Sequence, residues 1–182
     1  LNHTEPDMTY GQNTYACKMY SATISSECFL AKEMPSVRQA ALQISRNVAR
    51  CLMDIAQKPD APLAYFPPTY YKAPADKSDY VNRIFEKHKN HTMFLEAAEV
   101  GKAMLDLYDA TKDRQYLDFA IHIADTYQRT QAADGSWPVK VELATGNPIM
   151  EARCIPTPIF LLTQRLKDDY SVNKYDEMVR RG

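Results

Sequence analysis

Glycine and tryptophan are scarce in this chain: five of its 182 residues are glycine, and the single tryptophan is Trp137. Cysteine is also rare, and its four positions form no C-x-x-C pair of the kind that binds zinc or carries out thiol–disulfide chemistry. Because a chain of this length can bury a sizeable core, we expect the cysteines to be buried free thiols. They are Cys17, Cys28, Cys51 and Cys154.

Neither sign of charge is in excess. The formal net charge is −1, from 22 basic and 23 acidic side chains, so no strong field attracts nucleic acid. No run approaches the ~18 consecutive apolar residues of a membrane-spanning helix. The G-x-S-x-G, G-x-G-x-x-G and P-loop patterns of serine hydrolases, dinucleotide enzymes and NTPases are missing as well. We therefore expect no nucleic-acid partner, no membrane partner and no cofactor.

Helical periodicity is what the sequence does contain. With 45% hydrophobic and 25% charged residues, the chain has the composition of one globular unit. Apolar residues recur three or four positions apart over 13–34, 36–58, 92–109, 113–127 and 152–168, and a short polar segment follows. The joint between the first two runs is very short. The pattern predicts an all-α fold with about six helices in three antiparallel hairpins.

Two segments interrupt the helices. Five prolines fall between Pro59 and Pro74 among several tyrosines, so residues 59–87 are expected to form a binding loop or lid and no long helix. Near residues 138–149, a Val-Lys-Val-Glu stretch alternates apolar and charged residues before an Ala-Thr-Gly-Asn turn. This second pattern predicts one small β-hairpin.

A short internal repeat relates two of the predicted hairpins. The residues Ala-Leu-Gln-Ile-Ser at 41–45 match Ala-Ile-His-Ile-Ala at 120–124, an offset of 79 positions. The same offset places Leu30-Ala31 over Asp109-Ala110. Because repeated helix pairs bury their apolar faces by stacking on their neighbours, the sequence predicts a repeated helical-hairpin unit.

The run LYDATKDRQYLDFAIHIADTYQRTQAADGSWP resembles the hairpin repeat of the (α/α) toroid, or six-hairpin glycosidase-like, proteins. The matching pieces are Tyr-Asp-Ala-Thr at the end of one helix, Tyr-Leu-Asp with two alanines in the next, and Asp-Gly-Ser-Trp after it. The resemblance extends over about residues 92–166, is looser over 9–58 and is absent from the proline-rich segment. It implies a carbohydrate-active domain of the glycoside hydrolase or polysaccharide lyase type, acting on an oligo- or polysaccharide that can contain uronate.

Such toroids have five to seven hairpins, whereas this chain supplies about three. We expect residues 1–182 to be one partial toroid domain whose remaining hairpins come from a longer parent chain; the alternative is an open helical array. The resemblance implies that helices 13–34, 92–109 and 152–168 form the inner ring and that the family's sites lie where inner helices begin. The preceding segments would then converge on one rim.

The candidate site residues follow from that rim. Trp137 is expected to stack on a sugar ring, Arg153 to clamp a substrate carboxylate, and Glu151 to act as general acid or base. The histidines of an H-x-x-H pair are expected to contact substrate or transfer protons. The residues assigned to catalysis are Glu151, His88 and His91, and those assigned to substrate binding are Trp137, Arg153, Tyr10, Tyr70 and Tyr71.

Each assignment has a structural alternative. Trp137 could be a core residue, the two histidines could be structural or could bind a metal ion, and Glu151 could be a carboxylate favoured by the helix dipole. At the level of function, the alternative is a non-catalytic helical-repeat module that binds a glycan or a protein through its aromatic loop. Two N-x-[ST] triplets, beginning at Asn2 and Asn90, favour a secreted or periplasmic protein over a cytoplasmic one.

Overall fold

The structure, a computed structural model, describes residues 15–72 and 79–182. This part of the chain is mostly helical, as predicted, and its two strands are short. The elements are α1 (Ala16–Glu33), α2 (Arg38–Ile55), α3 (Asp79–His88), β1 (His91–Met93), α4 (Glu96–Thr111), α5 (Arg114–Thr130), β2 (Lys140–Glu142), α6 (Thr157–Tyr170) and α7 (Asp176–Arg181). A 3-10 turn, Pro35–Val37, joins α1 to α2.

The long helices pack in two layers. Helix α1 packs against both α2 and α4, and α4 packs in turn against α5 and α6. The helices α1, α4 and α6 therefore lie side by side in one layer, and α2 and α5 cover it from the other side. The structure does not establish closure into a ring.

The 79-residue repeat is visible in the positions of the helices. Shifted by 79 positions, α1 would span 95–112, and α4 spans Glu96–Thr111. The equivalent residues Ala41 in α2 and Ala120 in α5 are both completely buried. The two hairpins therefore use the same face of their second helix to cover the first, which is what a repeated packing unit requires.

The core lies between the two layers and continues under the loops. It contains small side chains where α1 and α4 approach each other, and large ones such as Phe66, Phe94 and Tyr127 nearer the strands. All four cysteines are free; Cys17 and Cys28 are buried and the other two half-buried. Among the described helices, none combines the length and the apolar character that crossing a lipid bilayer would need.

The β-structure differs in part from the predicted hairpin. The chain does turn back after β2, where the Glu142 amide donates to the Asn147 carbonyl at 2.9 Å and the Ile149 amide to the Lys140 carbonyl at 3.1 Å. However, the strand partner of β2 is β1, which pairs with it antiparallel and places His91 opposite Glu142. The sequence pattern missed this pairing because the partners are almost 50 positions apart.

The proline-rich segment ends in a helix that the sequence analysis assigned to a loop. Helix α3 begins after the last proline of the segment, and Val81, Ile84 and Phe85 follow one another at helical spacing. Only Val81 of these is fully buried, so the helix lies on the surface. Proline excludes helix only over its own neighbourhood, which explains why the prediction of a continuous loop over 59–87 was wrong.

Two predicted helix starts also need correction. Thr92 was expected to cap the third long helix, but it lies in β1, where its hydroxyl accepts a hydrogen bond from the Thr69 amide at 3.2 Å. Helix α4 instead begins at Glu96. The last long helix, α6, begins at Thr157 and not at 152, because a proline occupies one of its first positions and Pro156 precedes it.

Candidate functional site

Four parts of the chain meet where α1 and α4 begin. Tyr15 precedes α1 and forms an isolated β-bridge with Tyr70 from the proline-rich segment. His88 ends α3, and a short turn leads to His91 in β1, just before α4. Strand β2 lies against β1 and contributes Lys140. We call Tyr15, Tyr70, His88, His91 and Lys140 the rim cluster.

The rings of the rim cluster are in close contact. Tyr70 stacks on His88 with 4.7 Å between ring centroids and an interplanar angle of 22°. Tyr15 lies 5.8 Å from Tyr70, and His91 lies 6.3 Å from His88, both with tilted planes. All four rings are partly exposed. The cluster is therefore a partly exposed aromatic surface made of phenol and imidazole rings.

A lysine ammonium lies against this surface. Lys140 Nζ is 3.1 Å from His88 Nδ1 and 5.7 Å from the centroid of the Tyr70 ring. Since the ammonium group can only donate, His88 Nδ1 must accept, and the imidazole is neutral in this arrangement. Burial lowers the pKa of His88, and the nearby Lys140, Lys87 and His91 lower it further. A neutral imidazole of this kind can accept a proton from a reacting group.

Next to the cluster lies a buried carboxyl group. Glu96 is only 7% exposed, and its Oε1 atom is 3.4 Å from Nζ of Lys18. Burial raises the pKa of Glu96, although a hydrogen bond with Thr69 and the charge of Lys18 oppose this effect. The other carboxyl oxygen, Oε2, is buried and has no hydrogen-bond partner in the described part of the chain. Glu96 is thus a group that favours the protonated state more than an ordinary glutamate does.

A groove crosses the α1, α4 and α6 layer beside the rim cluster. It has a volume of about 660 Å³, which is within the ~300–1,000 Å³ range of small-molecule sites. Lys18 lines the groove and also contacts Glu96, so one residue of the groove pairs with the buried carboxyl group next to the rim cluster. Seven of the eight lining residues have polar or charged side chains. The lining residues are Lys18, Ser21, Ala22, Ser25, Glu99, Lys102, Asp106 and Arg165.

Trp137 lies elsewhere, and its predicted stacking on a sugar is wrong. Its side chain is completely buried, and its Nε1 donates a hydrogen bond to the Tyr127 carbonyl at 3.0 Å. The Phe160 ring of α6 packs against it edge to face, with 6.3 Å between centroids. The loop after α5 therefore delivers the indole into the core and not to the surface, so the alternative of a core tryptophan is correct.

The other predicted residues divide into two groups. Tyr70, His88 and His91 come together in the rim cluster. Glu151 and Arg153 are exposed in the segment that returns after β2, where Arg153 forms an isolated bridge with Pro138. No contact in the described residues joins either of them to the histidines. Tyr71 is half-buried and packs against the core. Tyr10 lies outside the described residues.

Sequence reasoning missed four residues of the site: Tyr15, Lys140, Lys18 and Glu96. A signal for Lys140 was present, because the Val-Lys-Val-Glu alternation puts it on the charged face of a strand. No local signal marks Glu96, since a glutamate in the first turn of a helix is ordinary. Its ion-pair partner, Lys18, is remote in sequence.

The cluster does not have the composition of a metal site. In residues 15–72 and 79–182, no group of three or more histidine, cysteine, aspartate or glutamate side chains is arranged to hold a metal ion. His88 already accepts a hydrogen bond from Lys140 through Nδ1, the atom that a metal would compete for. What the arrangement offers chemically is hydrogen bonding, aromatic contact and proton transfer.

Comparison of the chain with protein-family models, with curated proteins and with solved structures found no match.

Proposed function

We propose that this chain is part of an (α/α) toroid that binds and cleaves an oligo- or polysaccharide, as a glycoside hydrolase or a polysaccharide lyase does. The observation that carries the proposal is the rim cluster at the start of α1 and α4, which joins aromatic, imidazole and ammonium groups next to a polar groove. The resemblance of the hairpin sequences to toroid repeats supports it independently.

The chemistry of the rim cluster suits a saccharide. A sugar presents hydroxyl groups around its edge and apolar C–H groups on its faces. The partly exposed rings of Tyr15 and Tyr70 offer apolar contact, whereas the imidazoles and Lys140 offer hydrogen bonds. The groove then accommodates further sugar units along α1, α4 and α6.

Cleavage of a glycosidic bond needs groups that exchange protons near neutral pH. In this proposal His88 and His91 are those groups, because a neutral imidazole accepts a proton and an imidazolium returns it. Hydrolysis adds water across the broken bond, whereas elimination leaves a carbon–carbon double bond in one product. Glu151 and Arg153 remain predicted participants that would need to approach from the returning limb.

The remaining hairpins of the toroid are proposed to come from the parent chain. Support comes from large apolar side chains on the flank of the helix layer: Ile155, before α6, is 79% exposed, and Leu161 of α6 is 52% exposed. A further hairpin packed against α6 would bury such residues.

The proposal can be tested by incubating the purified protein with a panel of neutral and acidic oligosaccharides. New reducing ends would report cleavage of either type, and ultraviolet absorbance of a conjugated double bond would report elimination. We expect His88→Gln to lower kcat/KM by about 10²-fold or more, as removal of a proton-transfer group does.

His122→Gln is a matched control. His122, on α5, stacks on Tyr65 with 4.3 Å between ring centroids. The variant therefore disrupts a tyrosine–histidine stack whose residues are not part of the rim cluster. We expect it to retain activity. Binding without cleavage would overturn the enzymatic proposal and support the alternative, a non-catalytic glycan-binding module. Absence of both binding and cleavage would overturn the proposal entirely.

A further inference from the structure

Lys140 differs in its partner from two other partly buried cations, Lys102 and Arg165. Lys102 pairs with Glu99 at 2.9 Å, and Arg165 pairs with Asp106 at 2.6 Å. Lys140 is half-buried, yet in the described part of the chain it forms no ion pair with a carboxylate, and its hydrogen-bond partner is the neutral nitrogen of His88. A partly desolvated cation without a counter-charge is unfavourable, so binding of an anion to this ammonium group should be favourable.

Apart from two carboxyl groups, those of Glu96 and Glu142, the surroundings of Lys140 contain positive or neutral groups. Glu96, whose charge acts on Tyr70, is buried and pairs with Lys18 at 3.4 Å. Tyr70 lies under the ammonium, and burial raises the pKa of this tyrosine, which keeps the phenol neutral. The groups whose charges act on His88 are Lys140 from β2, Lys87 from its own helix and His91 from β1. Glu142 lies on the same strand as Lys140 but accepts a hydrogen bond from Thr145 at 2.7 Å. An anion would therefore meet two adjacent donors without a competing acceptor between them.

We propose that Lys140 and His88 form a binding site for an anionic oxygen group, the carboxylate or sulfate of an acidic saccharide, and that His88 takes up a proton when the site fills. The saccharide part of this inference rests on the proposed function; the anion site itself does not.

The proton uptake follows from the geometry. In the free protein, His88 Nδ1 accepts a hydrogen from Lys140, and a second proton on His88 would place two cations 3.1 Å apart. An anion bound between them removes that penalty and accepts charge-assisted hydrogen bonds from both groups. The same change raises the pKa of His88, whose free value is lowered by burial and by its cationic neighbours. Affinity for the anion should therefore increase as the pH falls from about 8 to about 5, the range in which histidine changes charge.

Calorimetric titration of the purified protein tests this inference with three probes: glucuronate, glucose as its uncharged counterpart, and inorganic sulfate. Each titration is run in two buffers of different ionisation enthalpy, which reports the number of protons taken up. We expect glucuronate to bind with uptake of up to one proton and at least ten-fold more tightly than glucose. Sulfate is expected to bind more weakly than glucuronate but with the same proton uptake.

Three variants assign the effect to residues. Lys140→Met should weaken glucuronate binding at least ten-fold, and His88→Gln should bind it without proton uptake. Lys89→Met is the matched control, because Lys89 is an exposed lysine near the site that pairs with Glu86 at 2.7 Å; its affinity should be unchanged. If Lys140→Met does not fold, an NMR titration of the His88 imidazole in the wild-type protein provides the same information, since glucuronate should raise its pKa.

Equal affinity for glucuronate and glucose, or binding of glucuronate without proton uptake by the wild type, would overturn the inference. Cleavage of neutral oligosaccharides together with such a result would leave the proposed function intact. Conversely, proton-linked binding of glucuronate and sulfate without cleavage of any oligosaccharide would support the anion site and overturn the enzymatic proposal.

Discussion

Single side chains decide where the surface of this protein ends and its core begins. Trp137 and Tyr70 both lie in irregular segments, and the sequence alone allows either to be the aromatic residue of a binding site. The indole has its one donor satisfied by a backbone carbonyl inside the core, whereas Tyr70 remains partly exposed beside His88. The aromatic group available to a ligand is therefore Tyr70.

Replacement of Trp137 by alanine should reduce stability and not only binding. The change removes a completely buried side chain and leaves the Tyr127 carbonyl without its donor, so the free energy of unfolding should fall by about 3–5 kcal/mol. Chemical denaturation followed by circular dichroism measures the effect. Ile155→Ala, at a residue 79% exposed, should change stability by no more than about 0.5 kcal/mol. A Trp137→Ala protein of unchanged stability would contradict the burial of the indole.

At the scale of elements, two loops adopt backbone conformations that favour glycine. Gly135, in the turn after α5, has φ +86°, and Gly146, in the turn after β2, has φ +74°. Their surroundings differ. A Cβ atom at Gly135 would overlap the carbonyl oxygen of Arg181 at the end of α7, whereas the nearest atom to one at Gly146 would be a side-chain carbon of Leu63 at 3.3 Å.

Alanine at these two glycines should therefore have unequal effects. Both substitutions carry the left-handed backbone penalty of roughly 1–2 kcal/mol. Gly135→Ala must in addition displace the backbone of α7, so it should destabilise the protein more than Gly146→Ala does. Denaturation measures the difference, and hydrogen exchange should show loss of protection in α7 for Gly135→Ala alone. Equal losses of stability would mean that α7 moves away without cost.

At the scale of the whole molecule, one polar network joins all three helices of the α1, α4 and α6 layer. Arg165 of α6 donates to Asp106 at 2.6 Å and to Asp109 at 2.8 Å, both on α4. Ser25 of α1 donates to the second carboxylate oxygen of Asp106, also at 2.6 Å. Burial alone would raise the pKa of Asp109, but the hydrogen bond from Arg165 brings it below its usual value.

Arg165→Met should loosen this layer in a pH-dependent way. We expect the free energy of unfolding near neutral pH to fall by about 1–2 kcal/mol, since the partly exposed pairs are weakened by solvent. A carboxyl group with a lowered pKa stabilises the folded state above its unfolded pKa, and this contribution is lost as the pH falls through the folded value. Below about pH 4, the stabilities of wild type and variant should therefore converge.

Lys112→Met is the control for this prediction. Lys112 also pairs with Asp109, at 3.4 Å, but it lies at the end of the same helix and is largely exposed. Removal of this lysine should cost no more than about 0.5 kcal/mol. If the two variants lost equal stability, or if the Arg165→Met difference persisted in acid, the network would not be what holds α6 to α4.

The amino-acid sequence by itself determined the helices of this protein, their short joints and their repeated pairing. Periodicity is a local property: residues such as Ala41 and Ala120 recur on one face because the α-helix repeats every 3.6 residues, whatever lies beyond it. The sequence also placed His88 and His91 just before a helix, and its Ala-Thr-Gly-Asn residues predicted a turn after β2.

Only the tertiary structure decided which of these residues meet and which are buried. The pairing of β1 with β2 brings Lys140 to His88 from 52 positions away, and α6 covers Trp137 with Phe160. Glu96 is buried in the folded chain and pairs there with Lys18, which is 78 positions away. Burial and charge pairing depend on contacts between remote segments, and a local pattern carries no information about which segment arrives as the neighbour.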